Sequence, residues 1–228
     1  MASVKPKVLP ILDLINKGTE YLKAAGISNA KLEIEWFLSN LLKCERIDLY
    51  VRYDEPLHSA QIDQLRDFLR RRKTREPFQY ILGKAPFYGR DFIVTPDVLI
   101  PRHETELLID ILKTKKGYTS CLEVGTGSGC IAITALLESD LKECTAIDIS
   151  SNALSIAEQN SLYQGADTIH FIQMDFLHEI PSGTFDIILS NPPYIAKTDL
   201  EMLEPELSFE PVDALTDHSD GLTFHRRF

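Results

Sequence analysis

Thr119-Ser120-Cys121-Leu122-Glu123-Val124-Gly125-Thr126-Gly127-Ser128-Gly129-Cys130-Ile131 decides the fold. Thr119 to Val124 reads as a strand. It ends in Gly125, Gly127 and Gly129, and a helical pattern from Ser128 to Leu137 follows at once. Glycine lets the backbone turn tightly and approach a ligand with no Cβ in the way. The first amides of the following helix then face that ligand. Dinucleotide, nucleotide and S-adenosylmethionine sites all use such a turn, and so do purely structural ones. Alone it predicts strand, turn and helix, without choosing the ligand.

Downstream, Glu143–Ile149 reads as a strand, Asn152–Tyr163 as a helix, Thr168–Met174 as a strand and Phe185–Ser190 as a fourth strand. Strands alternating with helices predict an α/β domain, a parallel sheet with helices on both faces. Upstream, Pro101-Arg102-His103-Glu104-Thr105 opens a helix through Leu107, Leu108 and Leu112. Before it, two β-rich segments, Pro86–Phe92 and Ile93–Leu99, are linked at Gly89 and predict a hairpin. The remaining residues are helical in pattern. Leu9–Lys23 carries Ile11, Leu12, Ile15 and Leu22 and stops at Gly26. A second helix begins near Ser28 with an apolar face of Leu32, Trp36, Leu41 and Leu42. A short element spans Ile47–Tyr53, and Ser59 is the expected cap of a fourth helix bearing Ile62, Leu65, Phe68 and Leu69.

With 44% hydrophobic and 25% charged residues in 228, the chain has a globular composition. Disorder of the whole is excluded, and no stretch approaches the roughly 18 to 20 apolar residues of a membrane span. The net charge of −10 is unevenly spread: residues 1–75 hold 14 Lys+Arg against 10 Asp+Glu, and residues 76–228 hold 10 against 24. The change falls at Arg75-Glu76-Pro77, just after the basic run Arg70-Arg71-Arg72-Lys73, read as a solvated helix end. It predicts a helical domain over 1–75, a linker with a β-hairpin over 76–103 and an α/β domain over 104–228. Met1–Pro10 has Lys5 and Lys7 but no apolar core before a cleavage site, so no signal peptide is expected. Cys44, Cys121, Cys130 and Cys144 show neither close pairing nor metal-ligand spacing, which predicts reduced thiols, a cytoplasmic location and no metal.

Three positions at strand ends carry the candidate chemistry. Asp148, 19 residues after Gly129, can accept the ribose hydroxyls of an adenosine. Asp175 can take an adenine amino group while Phe176 covers the ring. Asn191-Pro192-Pro193-Tyr194 follows the fourth strand, so it lands beside the glycine loop beyond the carboxyl ends of the strands. Its residues suit a planar nitrogen nucleophile. The Asn191 side chain and the Pro192 carbonyl can accept two N–H bonds and hold the nitrogen lone pair toward an electrophilic methyl. Proline removes competing donors and stiffens the loop. The Tyr194 ring stabilises charge developing on nitrogen, by about 0.5 to 2 kcal/mol.

At this point the chain resembles the S-adenosylmethionine-dependent methyltransferases of the seven-stranded class, and more closely the HemK/PrmC family. That family methylates the side-chain nitrogen of the Gly-Gly-Gln glutamine in peptide-chain release factors. Glu76-Pro77-Phe78-Gln79-Tyr80-Ile81-Leu82-Gly83 with Phe87-Tyr88-Gly89 resembles the family's linker. Leu99-Ile100-Pro101-Arg102 followed by Glu104-Thr105-Glu106 resembles its signature before the catalytic domain. Phe209-Glu210-Pro211, Ala214-Leu215 and Asp220-Gly221-Leu222 resemble the segment after the tetrapeptide. The resemblance implies a Rossmann-like methyltransferase sheet preceded by a small all-α bundle. It also implies S-adenosylmethionine as cofactor, with S-adenosylhomocysteine as product. Gly125, Thr126, Gly127, Ser128, Gly129, Asp148, Asp175, Phe176 and Asn191 would contact that cofactor. Asn191, Pro192, Pro193 and Tyr194 would hold the glutamine, Asn191, Pro192 and Tyr194 being the catalytic residues, and the amino-terminal helices would dock the release factor.

His103 stands where the family usually has proline, and it receives no catalytic role. The class has three further strands after the fourth, which are missing before Phe228. The expectation is an incomplete sheet whose fourth strand is an unprotected edge, with weakened stability and catalysis. Other functions stay open on the residues alone. An exocyclic amine of a nucleic-acid base is also a planar nitrogen, although the acidic second part is a poor surface for phosphates. A nicotinamide-dependent oxidoreductase would explain the glycine loop and Asp148 but gives Asn191–Tyr194 no task. A non-enzymatic binder would keep the contacts without turnover.

Overall fold

The computed structural model describes residues 9–228. Most of the stretch read for a signal peptide, residues 1–8, lies outside the described residues. The chain divides between Leu82 and Gly83 into two compact units.

The first unit is helical: α1 (Ile11–Ala24), α2 (Ala30–Leu42), α3 (Asp48–Val51), α4 (Ser59–Lys73) and α5 (Phe78–Leu82). On α1, Ile11, Ile15, Gly18 and Leu22 are buried, one face at helical spacing. Gly18 lets α2 come close, since a Cβ there would stand 2.9 Å from Ile34 Cδ1. The core face of α2 is Ala30, Ile34, Phe37 and Leu38. The expected face was misplaced by rotation, and Trp36 is 46% exposed. Phe37 stacks on Phe68 at 4.3 Å, and Phe78 meets Phe68 edge-on at 5.9 Å. Ser59 is the first helical residue rather than the cap. His58 takes the cap position, its N–H donating to Gln61 Oε1 at 2.9 Å.

The charge change at Arg75 is not the packing boundary. Phe78 lies in the buried core of the first unit, with Ile81 and Leu82 packed against it. Helix α5 therefore belongs with the bundle rather than with a linker. The basic run is mostly neutralised within its own unit, Arg70 by Asp67 at 2.5 Å, Arg71 by Glu76 at 2.5 Å and Arg72 by Glu33 at 2.7 Å.

The second unit opens with the hairpin β1 (Lys84–Phe87) and β2 (Arg90–Ile93). The expected hairpin is there in shorter form, because Tyr88 and Gly89, at φ 49° and 76°, make the two-residue turn. Val94–Leu99 is not a strand. After a short 3-10 turn, His103–Thr105, α6 (Glu106–Lys113) buries Ile109 and Leu112, while Leu107 is 59% exposed. The α/β part follows as β3 (Ser120–Val124), α7 (Cys130–Glu138), β4 (Glu143–Asp148), α8 (Ser151–Gln164), β5 (Ile169–Gln173) and β6 (Ile187–Ser190). Two short helices close the unit, α9 (Val212–Leu215) and α10 (Thr223–Arg227).

The sheet has the order β5-β4-β3-β6 with every pairing parallel, as expected from the alternation. Four of the five β3 residues are buried, which fits a strand covered on both faces. Register places Val124 opposite Ile147 on one side and opposite Ser190 on the other. The carboxyl ends of β3, β4 and β6 therefore finish side by side, and the loops that carry the candidate chemistry leave from them.

Candidate active site

Beyond these strand ends lies a cavity of about 370 Å³, within the usual size of a small-molecule site. Gly125 and Gly127 form part of its wall at φ 74° and 55°, and a Cβ built on either would meet nothing within 4 Å. Any side chain there would project into free space at a strained backbone angle. Asp148, Asp175, Phe176, Asn191, Pro192 and Pro193 share the same wall, so sequence-distant candidates converge.

Thr126, Ser128 and Gly129 are not in the wall. The Thr126 hydroxyl donates to Glu123 Oε2 at 2.5 Å, and the Ser128 carbonyl accepts from Asn160 Nδ2 at 2.9 Å. Gly129 packs against α8, where a Cβ would come within 3.1 Å of Ala157 Cβ. These three residues shape the loop from behind. Tyr194 also lies outside the wall and is 63% exposed.

Asp148 is held by two amides, Gly127 N–H on Oδ2 and Ser150 N–H on Oδ1, each at 2.9 Å. Burial raises its pKa, and those hydrogen bonds oppose the shift. Each carboxylate oxygen keeps a second lone pair, so both remain able to accept ribose hydroxyls. Asp175 is tied into its own turn, with His178 Nδ1 at 2.7 Å and Leu177 N–H at 3.0 Å. The His178 contact leads in holding its carboxyl below the ordinary range. The Phe176 ring lies 5.0 Å from that of Phe228, and Arg227 Nε donates to the Phe176 carbonyl at 3.1 Å.

The tetrapeptide is supported by the segment that follows it. Ile195 N–H donates to the Leu215 carbonyl at 3.0 Å. A Cβ at Gly221 would fall 2.3 Å from the Tyr194 carbonyl oxygen, so only glycine fits under Tyr194. Asp217 accepts the amides of Ser219, Gly221 and Thr223, each at 2.9 Å, and fastens this turn. The Thr223 side chain, followed by those amides, holds its carboxyl well below the usual carboxylate range.

Two motifs 110 residues apart meet beside the cavity. Buried Glu210 accepts Ile100 N–H at 3.1 Å and the Arg102 guanidinium at 2.6 Å. Two further residues had no role in the sequence reading. Glu123, fully buried, accepts Thr126 Oγ1 and, at 3.2 Å, Ala132 N–H, locking the glycine loop to the first turn of α7. Burial pushes its carboxyl up to about 8. Asn160 on α8 accepts Ile93 N–H at 2.7 Å and donates to the carbonyls of Ile93 and Ser128. An amide on the buried face Ala153, Ala157, Asn160 was the legible sign that this helix holds a loop.

The wall carries five aspartates, Asp97, Asp148, Asp175, Asp213 and Asp217, and no lysine or arginine among the described residues. Such a lining opposes the pyrophosphate of a dinucleotide and favours a cation. S-adenosylmethionine, an adenosine bearing a cationic sulfonium, fits this wall on size and on charge.

The description "PrmC N-terminal domain" matches residues 13–83, and "Methyltransferase small domain" matches residues 103–207. The release factor glutamine methyltransferase of Geobacter sulfurreducens is 40% identical over 224 residues, which cover 97% of this chain and 78% of that protein. The protein of the same description from Bacillus subtilis is 38% identical over 228 residues, covering 96% and 78%. This chain belongs to the release factor glutamine methyltransferase family. A further member, from Fusobacterium nucleatum, is 36% identical over 221 residues, covering 94% of this chain and 62% of its own length.

Proposed function

We propose that this protein transfers a methyl group from S-adenosylmethionine to the side-chain amide nitrogen (N5) of the Gly-Gly-Gln glutamine of peptide-chain release factors. The observation that carries the reading is the placement of Asn191, Pro192 and Pro193 in one wall with Gly125, Gly127 and Asp148. When bound, the cofactor supplies an electrophilic methyl on a cationic sulfur.

The protein's own task is positioning and electrostatics. Asp148 would receive the ribose hydroxyls, while Asp175 and Phe176 would receive the adenine. Asn191 Oδ1 and the Pro192 carbonyl accept the two N–H bonds of the glutamine amide, which turns its lone pair toward the methyl. Pro192 and Pro193 have no N–H to compete for the substrate oxygen. Tyr194 offers its ring to the nitrogen as charge grows there. Once methylated, that nitrogen is acidic and gives its proton to solvent, so no strong base is required. The helical unit is assigned to docking of the release factor, in a cytoplasmic setting.

The test is transfer of labelled methyl to a purified release factor, beside a version whose Gly-Gly-Gln glutamine is alanine. Label on the glutamine protein alone supports the reading, and equal label on both overturns it.

A further inference from the structure

Asn191 must present an oxygen to the substrate, yet the two ends of its amide differ only by a half-turn about χ2. Asn191 Nδ2 lies 3.3 Å from the hydroxyl oxygen of Thr105, with Nδ2 donating. With Nδ2 taken, Oδ1 is the end that remains for a ligand, and Asn191 stands in the cavity wall. Thr105 is buried at the end of the turn His103–Thr105 and is not in the cavity wall. We infer that Thr105 is a positioning residue for methyl transfer: it holds Asn191 by Nδ2 and so keeps Oδ1 on the glutamine amide. The inference rests on the reading of Asn191 as acceptor of the glutamine N–H.

The turn that carries Thr105 is fixed from three sides. Thr105 N–H donates to the Arg102 carbonyl at 3.1 Å. Arg102 and Ile100 are fastened to Glu210 at 2.6 and 3.1 Å. Glu106, next in sequence, accepts Tyr88 N–H from the hairpin at 2.9 Å. The hydroxyl is thus delivered to Asn191 by a rigid frame rather than by a loop free to drift. A hydroxyl can donate or accept. The orientation in which Thr105 accepts is the one that gives both ends of the Asn191 amide a partner once a glutamine donor is present.

Thr105→Val keeps the shape and removes the oxygen, Thr105→Ala is a second hydroxyl-free variant, and Thr105→Ser restores the hydroxyl. Two quantities are read: kcat and KM on a Gly-Gly-Gln peptide, and the side-chain amide resonances of Asn191, assigned by their loss in Asn191→Ala. The valine and alanine proteins are expected to lose roughly 10- to 100-fold in kcat with smaller changes in KM. Their Asn191 amide resonances shift, and serine brings both readouts back. Wild-type kcat and unmoved resonances in valine or alanine overturn the inference. So does a serine variant that folds but restores neither readout. A wild-type protein that leaves the glutamine unmethylated overturns the reading of the reaction instead, and the resonances still decide whether Thr105 holds Asn191.

Discussion

Glu123 is a fully buried carboxyl behind the glycine loop, and its Oε1 has no hydrogen-bond partner among the described residues. Its folded-state pKa near 8 exceeds the ordinary glutamate value of about 4.3. Between those two values the unfolded chain has released the proton and the folded chain keeps it. The unfolded state therefore binds fewer protons, and stability falls as pH rises through that window. Glu123→Gln removes the titration while an amide oxygen still accepts from Thr126 and Ala132. Denaturant midpoints measured from pH 5 to 8 are expected to slope less steeply in the variant than in the wild type. Parallel slopes would show that Glu123 is ionised in the folded protein. That Gly125, Gly127, Asp148 and Asn191, Pro192 and Pro193 share one wall was legible, because their spacing relative to strand ends is local. Glu123 was in the quoted stretch, but its role depends on Ala132 across a turn, which spacing alone does not reveal.

At the scale of elements, the order of strands and helices was legible from the alternation of apolar runs and turn residues. Their faces were less so. The rotation of α2 came from counting Trp36 and Leu32 as core, whereas Ile34, Phe37 and Leu38 are the residues that meet Phe68 and the other helices. The hairpin is shorter than expected because Val94 and Val98, though apolar and buried, lie beyond the end of β2. The pieces of the site that no local pattern announces are contacts between elements: Glu210 with Ile100 and Arg102, Asn160 with the loop and hairpin, and Gly221 beneath Tyr194. Gly221→Ala tests the last of these. The new Cβ overlaps the Tyr194 carbonyl at φ +80°, so the tetrapeptide must move. A stability loss of about 1–3 kcal/mol is expected from the strained backbone, with a larger fall in kcat than in cofactor affinity. Unchanged turnover would mean that Tyr194 does not need its observed backbone position.

Over the whole molecule, charge separates the available readings. The cavity wall is acidic, and the basic run on α4 is largely spent on Asp67, Glu76 and Glu33. A protein binding nucleic acid through phosphates loses affinity steeply with salt. Titration with single-stranded and duplex RNA at low ionic strength is expected to show weak binding. Tight binding with a steep salt slope would move the substrate from a glutamine amide to a base amine. The units divide several residues past the charge change, because charge reports the surface, while Phe78 and Leu82 follow the core.

In the proposed reaction Asn191-Pro192-Pro193-Tyr194 directs a methyl onto an amide nitrogen. Fragment-ion mass spectrometry of a release factor after incubation with the protein and S-adenosylmethionine locates that methyl to a single residue. One added methyl is expected on the glutamine side chain of Gly-Gly-Gln, formed about 100-fold more slowly by Asn191→Ala. A methyl on any other residue, or equal rates from the two proteins, would contradict it.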